Sequence, residues 1–556
     1  MNAHTHPSIT NASTEVASCA SLYELFLRAV QKWPDQTAFS CMGVSFSYRE
    51  TDNAARAFCG FLQSRGLKPG DRIAVQLPNV LQYPVAMLGA LQAGLTIVNL
   101  NPLYTKTELV HILRDSKPKA LVTLANVAHV AAEALREEPI DTVVVTELAD
   151  LHPPAKRVLI NAVVRHVKKM VPDYQIDSAI SFRAAMAIGH RNLAIVHPGA
   201  PDDTLLLQYT GGTTGLPKAA ILTNANLMAN ITQTLEHLDG CINEGSECWI
   251  APLPLYHILA FFVHNGLLTA LGGQSVLIPN PRDIPGFVKT LKTTRFSGMV
   301  CINTLMVALM NDKGFRDLNF DALSLTITGG AAMTQDVADR WRQTTGCTAT
   351  EGYGLSETSP LVAANLPGQE VIGSIGKPIP GTEISLRDED DAVAAPGEAG
   401  ELWVRGPQVM QGYWNKPEIT AETLTSDGWL RTGDIATQDE NGILRIVDRK
   451  KDIVIVSGFN VYPAEVENAA ALMPEIAECA AVGIPHEKTG ESVCLYVVLQ
   501  TSNVSAEQIQ AHCRTHLTPY KVPSEIRIVP DLPKSNIGKV LRKELRGMSA
   551  HVSQGN

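Results

Sequence analysis

From Arg72 onward, short β-branched apolar runs alternate with longer helix-like segments, the pattern of a parallel sheet wrapped by helices. RIAVQL (72–77), TIVNL (96–100), ALVTLA (120–125) and TVVVT (142–146) predict the strands of a first α/β unit. The alternation resumes with SVLIP (275–279), GMVCI (298–302) and SLTIT (324–328), which predict a second. Between Ser385 and Gly406 the chain turns acidic and rich in turn formers, as expected of a hairpin in a smaller β-rich section whose charge run is a solvated turn. A sharper break falls at Asp448-Arg449-Lys450-Lys451-Asp452. Beyond it DIVIVSG, ECAAVGIP, ESVCLYVVLQ and EIRIVP alternate with helix-like segments and predict a small separate α+β domain.

Two further stretches stand out in the pattern. The apolar run from Ile258 to Gly272 is interrupted by His264 and Asn265 and falls short of the ~20 residues a membrane-spanning helix needs, so a buried core helix is expected. Residues 156–169, KRVLINAVVRHVKK, set Lys156, Arg157, Arg165, Lys168 and Lys169 beside Val158, Leu159, Val163, Val164 and Val167. Such a basic amphipathic helix can lie on anionic lipid. An ordinary packed helix with solvated lysines is the commoner outcome and the favoured expectation here.

Composition narrows the class. At 556 residues the chain exceeds what one hydrophobic core usually serves, and 45% hydrophobic with 18% charged residues is globular rather than disordered. A formal net charge of -10 speaks against a nucleic-acid partner. Ten cysteines, scattered from Cys19 to Cys513 without a CxxC pair, fit reduced thiols better than disulfides or zinc. The polar start MNAHTHPSITNAS lacks the basic and apolar stretches of a signal peptide, so a cytoplasmic protein is expected.

The chemistry begins at 209–220, YTGGTTGLPKAA. Gly211, Gly212 and Gly215 let the backbone approach an anion, Thr210, Thr213 and Thr214 add hydroxyl donors, and Lys218 adds a positive charge. A Walker loop would place Gly-Lys-Ser/Thr at the start of a helix, whereas Lys218 here follows Leu216-Pro217 and precedes Ala219. Downstream lie PLYH (254–257), EGYGLSET (351–358), WLRTGDIA (429–436), DRKKDIVIVSGFNVYPAEVE (448–467) and PKSNIGKVLRK (533–543). Each alone reads as structure: a turn, a helix cap, a solvated terminal lysine.

In this order and over nearly the whole chain, these segments resemble the adenylate-forming (AMP-binding) superfamily of acyl-CoA synthetases. DGWLRTGDIATQDENGILRIVDRKKDIVIVSGFNVYPAEVE (427–467) resembles the fatty acyl-CoA synthetase signature. NPLYT (101–105), NPRDIPGFVK (280–289) and GPQVMQGYW (406–414) resemble the bacterial long-chain fatty acid:CoA ligases of β-oxidation. The resemblance implies an α/β fold with a large N-terminal domain over 1–447, built of two α/β subdomains and a β-rich one. A hinge at 448–453 and a mobile α+β C-terminal domain at 454–556 would follow.

It also implies the reaction: ATP converts a fatty carboxylate to an acyl-adenylate and pyrophosphate, and the thiol of CoA then displaces AMP. By this resemblance Tyr209, Thr210 and the loop glycines and threonines hold the β- and γ-phosphates, with Lys218 tending the pyrophosphate end. Glu357 bridges Mg²⁺ with help from the Thr210 hydroxyl. Tyr353, after Gly352, stacks on adenine, while Asp434 and Arg449 bind the ribose. Gly329 and Gly330 floor the place where acyl group and nucleotide meet. Ser356, where the family usually has Thr, keeps a hydroxyl for the α-phosphate. Lys539 bridges the attacking carboxylate and the α-phosphate, and Lys451 is the hinge.

After pyrophosphate leaves, the face carrying Gly458, Phe459 and Asn460 would receive the pantetheine arm of CoA. His257 and Asn303, in PLYH and CINTLM, fall where the family lines its acyl tunnel, although His257 taken alone is a core histidine. A long-chain substrate partitions into lipid, so peripheral contact with the inner face of the cell membrane is compatible, and the assembly is open, a homodimer included. Rival readings are an enzyme that loads a carrier protein, an aryl-CoA ligase, and a non-catalytic lipid or nucleotide binder. The signature at 427–467 disfavours the first two, and Glu357, Asp434, Arg449 and Lys539 together disfavour the third.

Overall fold

The computed structural model describes residues 10–210, 217–330, 333–486, 488–500, 504–535 and 539–552. The β-branched runs form the expected strands because their stiff side chains pack on a pleated, two-sided buried surface. Arg72–Gln76, Thr96–Asn99, Ala120–Leu124 and Thr142–Thr146 lie in one seven-stranded sheet, joined by parallel pairings. Its far edge is Thr204–Thr210, parallel to Thr96–Asn99, and then Lys218–Thr223, which returns antiparallel. The segment expected to cradle phosphate therefore begins and ends in two antiparallel strands at a sheet edge. Gly211, Gly212, Thr213, Thr214 and Gly215 themselves lie outside the described residues.

The second unit is a nine-stranded sheet, in which Ala349–Gly354, Leu325–Gly329, Gly298–Cys301 and Cys248–Ala251 are consecutive neighbours. All of these pairings are parallel, so four carboxyl ends line up along one edge. At its other side the sheet takes in Thr37–Cys41 and Val44–Ser47, a hairpin from far upstream. No local pattern announces that partnership, because the pairing with Gln274–Leu277 spans more than two hundred residues.

The acidic stretch is the expected hairpin: Glu383–Arg387 pairs antiparallel with Gly400–Arg405. Leu430–Gln438 and Leu444–Arg449 complete a four-stranded antiparallel sheet. After Asp452 a five-stranded sheet follows, with the long hairpin Ile476–His486/Gly490–Leu499 at its centre. The helix Pro463–Ala471 packs on this hairpin, and Arg542–Val552 closes the chain beside it.

Ile258–Ala270 is buried throughout apart from Leu259, with a wide π turn at Phe262–Leu267, in keeping with the expected core helix. The basic stretch behaves otherwise. Pro154–Ala162 is helical and runs into a π turn at Val163–Val167, but none of the helix's residues is buried. The favoured expectation of an ordinary packed helix is corrected in part: Val164 is buried and Val163 half-buried, but Val158, Leu159 and Val167 face outward. No helix among the described residues is long and apolar enough to cross a membrane.

Candidate active site

Ligands of open α/β sheets sit beyond the carboxyl ends of the strands, and that edge of the nine-stranded sheet carries the expected residues. The chain leaves Cys248–Ala251 towards His257, Gly298–Cys301 towards Asn303, and Leu325–Gly329 at Gly329 itself, while Ala349–Gly354 carries Gly352 and Tyr353. Gly329 lies in register with Gly352. A Cβ at Gly329 would stand 2.9 Å from the Gly352 carbonyl oxygen, so glycine is what lets these two strand ends close up. Gly330 follows directly with φ +87°. His257 is half-buried, and burial lowers its imidazole to about 4, so the ring is neutral at pH 7.

The four-stranded sheet meets this edge through Tyr353. Its hydroxyl donates to Asp434 Oδ2 at 2.5 Å, and Arg449 Nε donates to Asp434 Oδ1 at 2.6 Å. Asp434 and Arg449 face each other across adjacent antiparallel strands. The Asp434 side chain is only 3% exposed, so the buried carboxylate is held by one charged and one neutral donor. Burial and the Asp434 charge keep the Tyr353 phenol well above its ordinary range. Two of the roughly four acceptor directions of Asp434 are thereby used.

A second cluster surrounds Glu357, in the short turn Ser356–Thr358 that also presents Ser356. Tyr413 donates its hydroxyl to Glu357 Oε1 at 2.7 Å, and the face of the same ring carries the Lys218 ammonium 3.8 Å from its centroid. The backbone around Tyr413 is fixed from two sides. Met410 N–H donates to the Glu357 carbonyl, and Gln411 to Trp414 run as an edge along Ala219–Ile221. Burial lowers the Lys218 pKa, with Glu357 and Glu422 acting in the opposite direction. Burial and Glu357 raise that of Tyr413. Sequence reasoning passed over Tyr413 as a residue, quoting it only inside GPQVMQGYW.

At the hairpin edge, Thr210 pairs with Lys218, and the Thr210 hydroxyl donates to the Lys218 carbonyl at 3.3 Å. Tyr209 points the other way: 5% exposed, it donates its hydroxyl to Asp115 Oδ2 at 2.6 Å. What Tyr209 can offer a nucleotide is therefore its backbone. Among the described residues no group of three or more His, Cys, Asp and Glu could hold a metal by itself. A single carboxylate such as Glu357 suits only a cation that keeps most of its shell in water and substrate phosphate, as Mg²⁺ does.

Lys539 approaches from the C-terminal domain. The residue as a whole is exposed, yet its ammonium is crowded enough that lost solvation, with Arg449 and against Asp434, lowers it to about 8. It is thus within electrostatic reach of the pair that holds Tyr353. Lys451 belongs to the turn Lys450–Asp452, and its ammonium is lowered by burial and then by Arg449. The other face is not gathered in. Gly458 has φ +82° with open space around its Cα, and Phe459 is 57% exposed and stacks on Tyr520 at 4.9 Å. Asn460 reaches only Glu389, at 3.3 Å.

Comparison with known proteins identifies the family. Residues 26–414 match the AMP-binding enzyme family, and residues 465–539 match the AMP-binding enzyme C-terminal domain. The chain is 47% identical to the long-chain-fatty-acid–CoA ligase of Salmonella typhimurium, covering 95% of this chain and 94% of that protein. It is 45% identical to that of Yersinia pestis, over 98% of each. The anthranilate CoA ligase AuaEII, solved with anthranoyl-AMP, superposes with a TM-score of 0.84 over 98% of this chain and 99% of the other. At 22% identity that likeness speaks for the fold alone. The chain thus belongs to the AMP-binding enzyme family and, within it, to the long-chain-fatty-acid–CoA ligases.

Proposed function

We propose that the protein activates a long-chain fatty acid to its CoA thioester in two half-reactions within one cleft. The observation that carries this reading is the convergence of Tyr353, Asp434, Arg449 and Lys539 at the carboxyl edge of the second sheet. In the first half-reaction a carboxylate oxygen of the acid attacks the α-phosphorus of ATP. The bond from that phosphorus to the bridging oxygen breaks, and pyrophosphate leaves. In the second the CoA thiolate attacks the acyl carbon, and the carbon–oxygen bond to AMP breaks.

Each residue has a place in this scheme. The free acceptor directions of Asp434, with Arg449, take the ribose hydroxyls, and the half-buried Tyr353 ring takes the adenine. The Ser356 hydroxyl faces the α-phosphate. Lys218 and the glycine-threonine hairpin hold the departing pyrophosphate, with Thr210 and Glu357 as the side chains for Mg²⁺. That ion would neutralise charge on the phosphates. Lys539 places a fixed ammonium between attacking carboxylate and α-phosphate, where negative charge develops. The neutral His257 and Asn303 line the entry of the acyl chain, where each buried methylene contributes ~0.8 kcal/mol.

The two half-reactions need different partners in one place, which a turning C-terminal domain provides. The anchoring around Lys451 supports this: Lys450 is tied to Glu401 of the four-stranded sheet at 2.9 Å, and Asp452 to Arg546 of the last helix at 2.7 Å. Lys451 lies between the two anchors and serves as the pivot. Rotation would withdraw Lys539 and bring Gly458, Phe459 and Asn460 to the cleft, where a glycine leaves room for pantetheine. Because the acid partitions into lipid, the enzyme works in peripheral contact with the inner face of the membrane.

The test separates the half-reactions. Acid-dependent ATP–pyrophosphate exchange without CoA should be present in the native protein and fall roughly a thousandfold in Lys539→Ala, the effect of losing ~3–4 kcal/mol of preorganised charge. Thioester formation from supplied acyl-AMP should largely survive. Since the ammonium is lowered to about 8, exchange should hold below that pH and decline as pH rises through it. Equal loss of both half-reactions would remove Lys539 from this role.

A further inference from the structure

The helix Pro154–Ala162 and the π turn after it are amphipathic in the wrong sense for a water-facing element. Val158 and Leu159 are each 65% exposed, Val167 74% and Met170 50%. Val164 is buried, and the other contacts holding the segment to the body are polar. Asn161 accepts from Ala149 N–H at 3.0 Å, Arg165 pairs with Glu147 at 2.6 Å, and Asn126 donates to the Met170 carbonyl at 3.0 Å. A surface helix ordinarily turns its apolar stripe inward and its polar residues to water. Here Asn161 and Arg165 are spent on attachment, and Val158, Leu159, Val167 and Met170 are presented.

Charge makes the pattern specific. Between Pro154 and Met170 there are five Lys or Arg residues and no Asp or Glu, in a chain whose formal net charge is -10. Among the described residues Arg165 forms an ion pair, whereas Lys156, Arg157, Lys168 and Lys169 form none. Lys156 lies at the tip of the Thr37–Cys41/Val44–Ser47 hairpin, where a Cβ at Gly43 would stand 3.8 Å from its Nζ. The neighbouring Met42 is itself 37% exposed. An exposed apolar strip bounded by unpaired cations matches a lipid surface with anionic headgroups, the cations meeting phosphate and the apolar side chains entering the acyl boundary.

We infer that residues 154–170 form the face by which this protein docks on an anionic phospholipid bilayer. The inference deepens the peripheral association proposed above and gives it a location. A basic side chain near such a surface strengthens binding by about fivefold, so the four unpaired cations supply the preference for anionic lipid. The apolar strip adds a part of the affinity that salt does not screen.

Cosedimentation of the full chain with phosphatidylcholine vesicles, with and without phosphatidylglycerol, tests this. Native protein should bind the phosphatidylglycerol vesicles and be partly released by salt. Leu159→Glu with Val167→Glu should weaken binding by about tenfold or more. Lys156→Gln with Lys168→Gln and Lys169→Gln should erase the preference for anionic vesicles. Both variants should turn over a short, water-soluble acid in vesicle-free buffer at the native rate. If the glutamate pair unfolds the protein, the glutamine variant decides alone. Native protein that binds neither vesicle overturns peripheral association and this face together. Native binding that both variants retain overturns this face and leaves peripheral association standing. Self-association without lipid, abolished by the glutamate pair, would reassign the strip to a contact between copies.

Discussion

Tyr413 touches two charges of opposite sign, accepting the Lys218 ammonium on its face and donating to the Glu357 carboxylate from its edge. A cation over a desolvated ring is worth up to about 2 kcal/mol, and a hydrogen bond to a charged group about 1.5–3 kcal/mol. Tyr413→Phe keeps the first and removes the second. Adenylation measured by pyrophosphate exchange should fall tenfold to a hundredfold and require more Mg²⁺ for half-maximal rate, while the KM for the fatty acid stays near the native value. An unchanged Mg²⁺ requirement would reduce Tyr413 to packing. At this scale the motifs point to Lys539, Asp434, Arg449 and Glu357 through their resemblance to the family, and the structure pairs Asp434 with Arg449 and Glu357 with Tyr413. Tyr413 escaped because its partner Glu357 lies 56 residues away, and a tyrosine in an apolar stretch looks like core. At Tyr209 strand alternation turns the side chain towards Asp115, a partner that the motif does not reveal.

At the scale of elements, β-branched runs could be read as strands because their length and composition suffice. The Thr37–Cys41 hairpin could not, because its place in the second sheet depends on partners that only the folded chain supplies. For the basic helix the sequence carries the amphipathic pattern without its orientation, which the polar attachments of Asn161 and Arg165 decide. The last helix rests on a similar polar attachment. Arg542, 18% exposed, pairs with Glu467, 19% exposed, at 2.8 Å, and burial raises the pKa of that carboxyl against the pull of Arg542. Arg542→Ala strands Glu467 with no compensating charge and should destabilise the C-terminal domain by about 3 kcal/mol. Urea unfolding of the full chain should show this as an earlier transition, which Arg542→Ala with Glu467→Gln largely restores. A single variant as stable as the native protein would rule the pair out as a brace.

For the whole molecule, the groups proposed to do the chemistry are divided between bodies. The large domain carries Tyr353, Asp434, Arg449, Glu357 and Lys218, and the small one brings Lys539. The break expected at Asp448–Asp452 falls between the strand Leu444–Arg449 of one sheet and the strand Val454–Val456 of the next. What the sequence withholds is the anchoring on either side. Lys451→Pro, which fixes the backbone φ at the proposed pivot, should leave pyrophosphate exchange near the native rate and cut thioester formation at least tenfold, measured by release of AMP on adding CoA. Native overall turnover would move the pivot elsewhere. The links from Asp452 to Arg546 and Arg542 carry a mechanical meaning. They fasten the helix just beyond Lys539 to the far side of the pivot, so the small domain behaves as a lever without slack. With the pivot at Lys451, as proposed, a few degrees of turn there would displace the whole ammonium group of Lys539, and the stiffness of these links would bear on when each half-reaction runs.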